Sequence, residues 1–154
     1  MKRALVGMAV GAAGLIGFSS AAWAATGTQS FFIFGQDDAP ATVVATGPIS
    51  GVGQDFESQE AEEGTFVFDN GSVTADHPQT SDQANFNPVT CIGTDNFAGT
   101  YTLRDGTGDY LNASGSGTYT GRAIFIGQRT ADGCSDTAGT SFFIVRATGT
   151  TTLP

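Results

Sequence analysis

The chain has 154 residues with 15 acidic against 6 basic side chains, a formal net charge of −9, 22 glycines and 12 phenylalanines. That length holds one domain with a core of its own, not two. The acidity repels phosphate backbones and anionic lipid, which argues against nucleic-acid binding and adhesion to membranes.

Lys2 and Arg3 precede an uncharged stretch, Ala4 to Phe18, and Ala22-Trp23-Ala24 then supplies small residues at both positions of a cleavage site. This is the layout of a secretory signal peptide, with cleavage expected after Ala24. A membrane anchor needs roughly 20 strongly apolar residues, whereas this stretch is shorter and is interrupted by Gly7, Gly11, Gly14 and Gly17. The expected product is a single exported domain, residues 25–154, soluble and extracellular, whose only cations are Arg104, Arg122, Arg129 and Arg146. In an oxidising compartment the two cysteines, Cys91 and Cys134, are expected to form a disulfide. It would close a loop of about 44 residues and stabilise the fold by on the order of 4 kcal/mol. A reactive thiol or a metal ligand is the competing reading, and no C-x-x-C spacing supports it.

Short apolar runs punctuated by turn residues predict an antiparallel all-β domain. Phe31-Phe32-Ile33-Phe34 is apolar on both faces, as expected of a strand covered on two sides or of a barrel strand shielded by a partner. Weaker strands follow at Ala41 to Thr46 and at Ile49 to Phe56. Thr65 to Asp69 and Ser72 to Asp76 flank Asn70-Gly71, a type I′ turn signal. That turn predicts Phe68 opposite Val73 and Phe66 opposite Ala75, all four on one face. Thr90 to Asp95 is a weak strand, and Phe97 to Arg104 alternates, with Phe97, Tyr101 and Leu103 on one face and the threonines and Arg104 on the other. After Asp105-Gly106-Thr107-Gly108 a long strand is predicted from Gly115 to Ile126, with Tyr119, Ala123 and Phe125 on one face and Arg122 on the other. Phe142-Phe143-Ile144-Val145 repeats the doubly apolar pattern, and Thr148 to Leu153 ends the chain. About eight strands, with glycines where bent strands need them, predict a small antiparallel β-barrel; a two-sheet sandwich is the alternative.

The stretch Gly106-Thr107-Gly108-Asp109-Tyr110-Leu111-Asn112-Ala113-Ser114-Gly115 resembles the G-[ST]-G-x-[FY]-x-x-A-x-G turn signature of the allene oxide cyclase and dirigent barrel superfamily. Gly106, Gly108, Tyr110, Ala113 and Gly115 match, while Asp105 stands where the family often has a further glycine. More broadly, the segment from Gly47-Pro48-Ile49 through the hairpin and Cys91 to this signature is similar to small secreted actinobacterial proteins described as allene-oxide-cyclase-like. The resemblance implies a tight turn joining two barrel strands. It carries over no catalytic residue of either group.

His77 is the only histidine. A Ser-His-Asp or Cys-His mechanism would have to use it, yet no nucleophile motif accompanies it, so an exposed loop histidine is expected. Asp55, Glu57, Glu60, Glu62 and Glu63 have the density of a calcium site or of a glycosidase carboxylate pair. They lack an ordered ligand loop and read better as a solvated connection. One histidine and two paired cysteines cannot close a zinc site, so neither metal nor cofactor is expected. The sequons at Asn70 and Asn112 are read as incidental.

Tyr101, Arg104, Tyr110, Tyr119 and Arg122 flank the signature and form the candidate ligand pocket. In an open barrel, tyrosine hydroxyls and arginines would orient a small ligand; the plainer account puts Tyr101 and Tyr119 in the core and the arginines outside. The functional expectation is a noncatalytic barrel binding a small apolar ligand or an extracellular surface. The alternatives are a cofactor-free isomerase or cyclase and a structural surface protein. A lumen packed solid would exclude the ligand readings, and an apolar lumen with an inward tyrosine or arginine would favour the enzyme.

Overall fold

The computed structural model describes residues 24–36, 39–58, 62–131 and 133–154, so all of the expected leader except Ala24 lies outside the described residues. Nine strands follow in order: β1 (Ala25–Gln36), β2 (Ala41–Thr46), β3 (Gly51–Glu57), β4 (Glu63–Phe68), β5 (Gly71–Asp76), β6 (Gln79–Asn87), β7 (Ile92–Arg104), β8 (Ser114–Thr130) and β9 (Gly133–Leu153). Eight of them close into an antiparallel barrel in the order β1-β2-β3-β4-β5-β7-β8-β9, with β9 returning to β1, and β6 pairs with β7 outside it. The ladder is continuous around the ring, which sets the sandwich aside.

Closure follows from alternation. Phe31 and Ile33 on β1, Val43 on β2, Phe66 on β4, Val73 on β5 and Leu103 on β7 are all buried in one core, each contributing roughly 1.5–3 kcal/mol of apolar transfer. Large rings fit inside the barrel only where facing positions are small. A Cβ on Gly149 would lie 2.7 Å from the Tyr101 hydroxyl, and one on Gly99 would lie 2.5 Å from that of Tyr119. Those two glycines therefore make room for the two tyrosines. Gln29, Asp55 and Thr151 are the buried polar side chains among the described residues. Gln29 donates to Ile49 O at 2.9 Å and accepts from Ile49 N at 2.9 Å, which satisfies an otherwise costly amide.

The two doubly apolar runs are neighbours on β1 and β9, where Phe34 pairs with Ile144 and Ile33 with Val145. Phe31 and Ile33 point inwards, while Phe34, Phe142 and Ile144 stand exposed on the outer wall.

The hairpin keeps the expected face but not the expected register. Phe66 pairs with Val73 and Phe68 with Gly71, two residues away from the type I′ prediction, and Asn70 lacks the positive φ which a type I′ turn at Asn70-Gly71 demands. The cause is tertiary. The loop after β7 folds back onto the turn, with Thr107 N donating to Ser72 O at 2.8 Å and Asp109 N to Asn70 O at 2.9 Å. A shift of two preserves sidedness, so Phe66, Phe68, Val73 and Ala75 are all buried as expected.

The weak Thr90–Asp95 run and the alternating Phe97–Arg104 run merge into β7. Beyond the barrel, β7, β8 and β9 continue as a projecting sheet edged by β6. The Cys91–Cys134 disulfide, with Cα atoms 5.1 Å apart, pins that projection.

Candidate functional site

The barrel is not filled. A cavity of about 250 Å³ lies between walls that include Phe31, Phe66, Phe97, Phe143 and Val145, and its polar lining comprises Asp55, Glu57, His77, Gln79, Tyr101 and Tyr119. Its volume falls just below the roughly 300–1,000 Å³ of pockets that hold drug-sized ligands, so the ligand it can enclose is small.

Asp55 and Glu57 stand two apart on β3 and therefore face the same side. Asp55 is buried, 2% exposed, and Glu57 is at the rim with its side chain 51% exposed. Opposite Glu57 in the ladder lies Gly64. A Cβ there would come within 2.6 Å of Asp55 Oδ1 and 3.2 Å of Glu57 Oε1, so the missing side chain leaves the space in which the two carboxyls meet. His77 follows β5 directly. Its backbone N donates to Glu62 O at 2.8 Å, its carbonyl accepts from Tyr119 Oη at 3.0 Å, and Nε2 reaches Glu57 Oε2 at 3.0 Å. With the side chain 27% exposed, it is a fixed member of the rim rather than an exposed loop histidine.

These contacts sort the charges. Burial, then the charge and hydrogen bond of Glu57, push Asp55 up to about 8, against a smaller opposing pull from His77. At neutral pH Asp55 is thus protonated. Burial draws the His77 imidazole down, but the hydrogen bond and charge of Glu57, helped by Asp55, outweigh it and leave the ring above its usual value. Desolvation raises both Tyr101 and Tyr119, which remain neutral donors. Tyr101 is 4% exposed, and its hydroxyl has no hydrogen-bond partner among the described residues. A neutral acid, a second carboxyl side chain, an imidazole and a phenol thus line one apolar chamber, the residue types of proton transfer.

Of the residues expected to form the pocket, the lumen brings together Tyr101 and Tyr119. Tyr110 is buried elsewhere, its ring edge-on to Phe68 with centroids 5.6 Å apart and its hydroxyl donating to Asn70 Oδ1 at 2.7 Å. Arg104 points outwards and binds Asp76 at 2.8 and 3.0 Å, together with Glu63 and Asp105. Arg122 lines a separate groove on the outer wall with Arg146, which lies 5.3 Å over the Phe32 ring.

The signature glycines sit at the hairpin contact. Gly108 has φ +58° and Gly106 is buried against the Tyr110 backbone, while Gly115 opens β8 opposite Leu103 and Ala113 is buried. The acidic group divides: Asp55 and Glu57 enter the site, Glu63 pairs with Arg104, Glu62 accepts from His77 N through its carbonyl, and Glu60 lies outside the described residues. No group of three or more metal-ligating side chains occurs among the described residues.

The fold and site define a closed eight-stranded barrel with an apolar, polar-rimmed lumen. No protein-family model matches the chain, and neither a curated protein nor a solved structure does.

Proposed function

We propose that this is an exported protein whose barrel lumen binds a small, mainly apolar molecule carrying one hydrogen-bond acceptor. The observation that carries this reading is Tyr101, a residue of the cavity wall whose buried hydroxyl has no partner among the described residues. A buried donor left unpaired costs about 1–3 kcal/mol, and a ligand acceptor would recover it. A structural surface protein needs neither the cavity nor that cost. Export is supported by the leader-like first 24 residues and by the disulfide, which suits an oxidising compartment. Relationship to the allene oxide cyclase and dirigent barrels is supported by the closed barrel and by the signature loop joining β7 to β8.

Native mass spectrometry of the protein secreted by its own type of host tests this. The expected species is residues 25–154 less two hydrogens, with a reproducible small-molecule adduct that Tyr101→Phe weakens. A bare mass that takes up no small ketone or alcohol would overturn the lumen reading. A second reading, a cofactor-free isomerase, is favoured by the Asp55, Glu57 and His77 chain at the same cavity.

A further inference from the structure

We propose that the lumen isomerises small apolar β,γ-unsaturated ketones to their conjugated isomers by moving a proton between carbons, with Asp55 as acid at the carbonyl oxygen, Glu57 as base at carbon and Tyr101 as second donor to that oxygen. The proposal rests on the lumen being a ligand site and assigns its substrate class.

The two carboxyls differ in depth and in partners. Asp55 is buried among the core strands, whereas Glu57 is half out in solvent and held by His77 Nε2 at 3.0 Å. Depth favours the neutral acid at Asp55, and Glu57 stands beside it at the rim in contact with His77 Nε2, so one dyad sets a buried proton donor next to a second carboxyl that can take a proton. Acid and base in contact suit a substrate that gains a proton at one atom as it loses one at another. A carbonyl with an adjacent C–H does so when it enolises. Tyr101 is the second, independent feature: a wall residue of the same chamber, more than nine-tenths buried, whose hydroxyl has no partner among the described residues. Two neutral donors in an apolar wall stabilise a developing enolate oxygen while excluding water, and their effect is largest where the dielectric is low.

The step balances without a co-reactant. Glu57 takes the α-proton as its C–H bond breaks and a C=C bond forms. The carbonyl π pair moves to oxygen, which takes the Asp55 proton. In the return step Glu57 delivers its proton to a different carbon of the dienol, and the enol O–H gives its proton back to Asp55, so the dyad ends as it began. His77 is a positioning residue that orients Glu57 through its Nε2 contact at 3.0 Å. The apolar walls and small volume select a compact ketone without charged groups.

The test uses the full secreted protein with its disulfide intact and 3-cyclohexen-1-one as probe, in deuterated buffer. Saturation-transfer NMR reads binding, and the conjugated product absorbs in the ultraviolet. The expected result is binding, deuterium at the α-carbon, and conjugation accelerated by about a hundredfold or more over buffer. Asp55→Asn and Glu57→Gln should each remove most of that acceleration while the probe still binds. Gly64→Ala keeps both carboxyl groups but brings a methyl within 2.6 Å of Asp55 Oδ1, which must shift, and should also suppress turnover with binding retained. Circular dichroism checks the fold of each variant, and the rim position of Glu57 makes Glu57→Gln the mildest. Binding without exchange above buffer overturns the isomerase and leaves the ligand site standing. Failure to bind overturns both readings. A rate unaffected by Asp55→Asn and Glu57→Gln overturns the assignment of acid and base.

Discussion

Tyr110 Oη donates to Asn70 Oδ1 at 2.7 Å, tying the loop after β7 to the tip of the β4–β5 hairpin. Asn70 Nδ2 in turn donates to Asp109 Oδ2 at 3.1 Å, and Ser72 N to Thr107 Oγ1 at 3.0 Å. The turn is thus held from outside, and this is why it departs from the register that Asn70-Gly71 would choose alone. Asn70→Ala leaves a buried phenol unpaired and should cost about 1–3 kcal/mol. Tyr110→Phe leaves only an exposed amide oxygen and should cost less. Chemical denaturation of the two variants checks the order.

The barrel was legible because its inward positions alternate: Phe66, Val73, Tyr101, Leu103 and Tyr119 all fall on the face that alternation assigned. β6 was not legible. Gln79–Asn87 is exposed except for Phe86, which meets Phe125 with ring centroids 6.1 Å apart, and a strand outside the barrel needs no apolar face. The site was half legible. Tyr101 and Tyr119 followed from alternation, whereas Asp55 and Glu57 were read as part of an acidic connection because carboxylates in a strand are ordinarily solvated. Their spacing of two, carried along the expected Ile49–Phe56 strand and its continuation, was the signal that could have placed both inside. The meeting with His77 depends on how β3 and β5 lie about β4, which local pattern does not encode.

The Cys91–Cys134 bond spans 43 positions and joins the β6–β7 turn to β9, away from the lumen. Cys91 O accepts from Gly127 N at 2.7 Å, so the turn, β8 and β9 are cross-linked where the sheet leaves the barrel. Replacing both cysteines with alanine should lower unfolding free energy by about 2–4 kcal/mol. Hydrogen exchange should rise first around residues 86–92 and 126–140, with lumen amides still protected. Equal loss of protection in both regions would mean that projection and barrel unfold as one unit.

Stability should fall with pH through the window set by Asp55. Its folded value is pushed up to about 8 from 3.8, so the folded state holds a proton which the unfolded chain releases. The stabilisation is complete below about 4 and declines as pH rises towards 8, at no more than about 1.4 kcal/mol per pH unit. The raised His77 value acts in the same sense, its contribution fading as pH rises through the folded value. Asp76, lowered chiefly by its hydrogen bond from Arg104, acts oppositely at the acid end. The contrast between wild type and Asp55→Asn isolates the Asp55 share: denaturation midpoints should converge near pH 4 and separate towards pH 8, with the variant the more stable there.

Tyr101→Phe separates a binding hydroxyl from a structural one. The ring packs edge-on to Phe31 with centroids 5.9 Å apart, and phenylalanine keeps that contact. The lost oxygen is buried without a partner, and removing an unpaired donor relieves a desolvation cost of about 1–3 kcal/mol. The ligand-free variant should therefore unfold at a higher denaturant concentration than wild type. If the hydroxyl serves a ligand acceptor, the same variant should bind a small ketone roughly tenfold more weakly, the loss of one hydrogen bond of about 1.4 kcal/mol. An apolar molecule of equal size should bind both proteins alike. Raised stability with unchanged ketone affinity would instead make Tyr101 a packing residue whose hydroxyl no ligand meets.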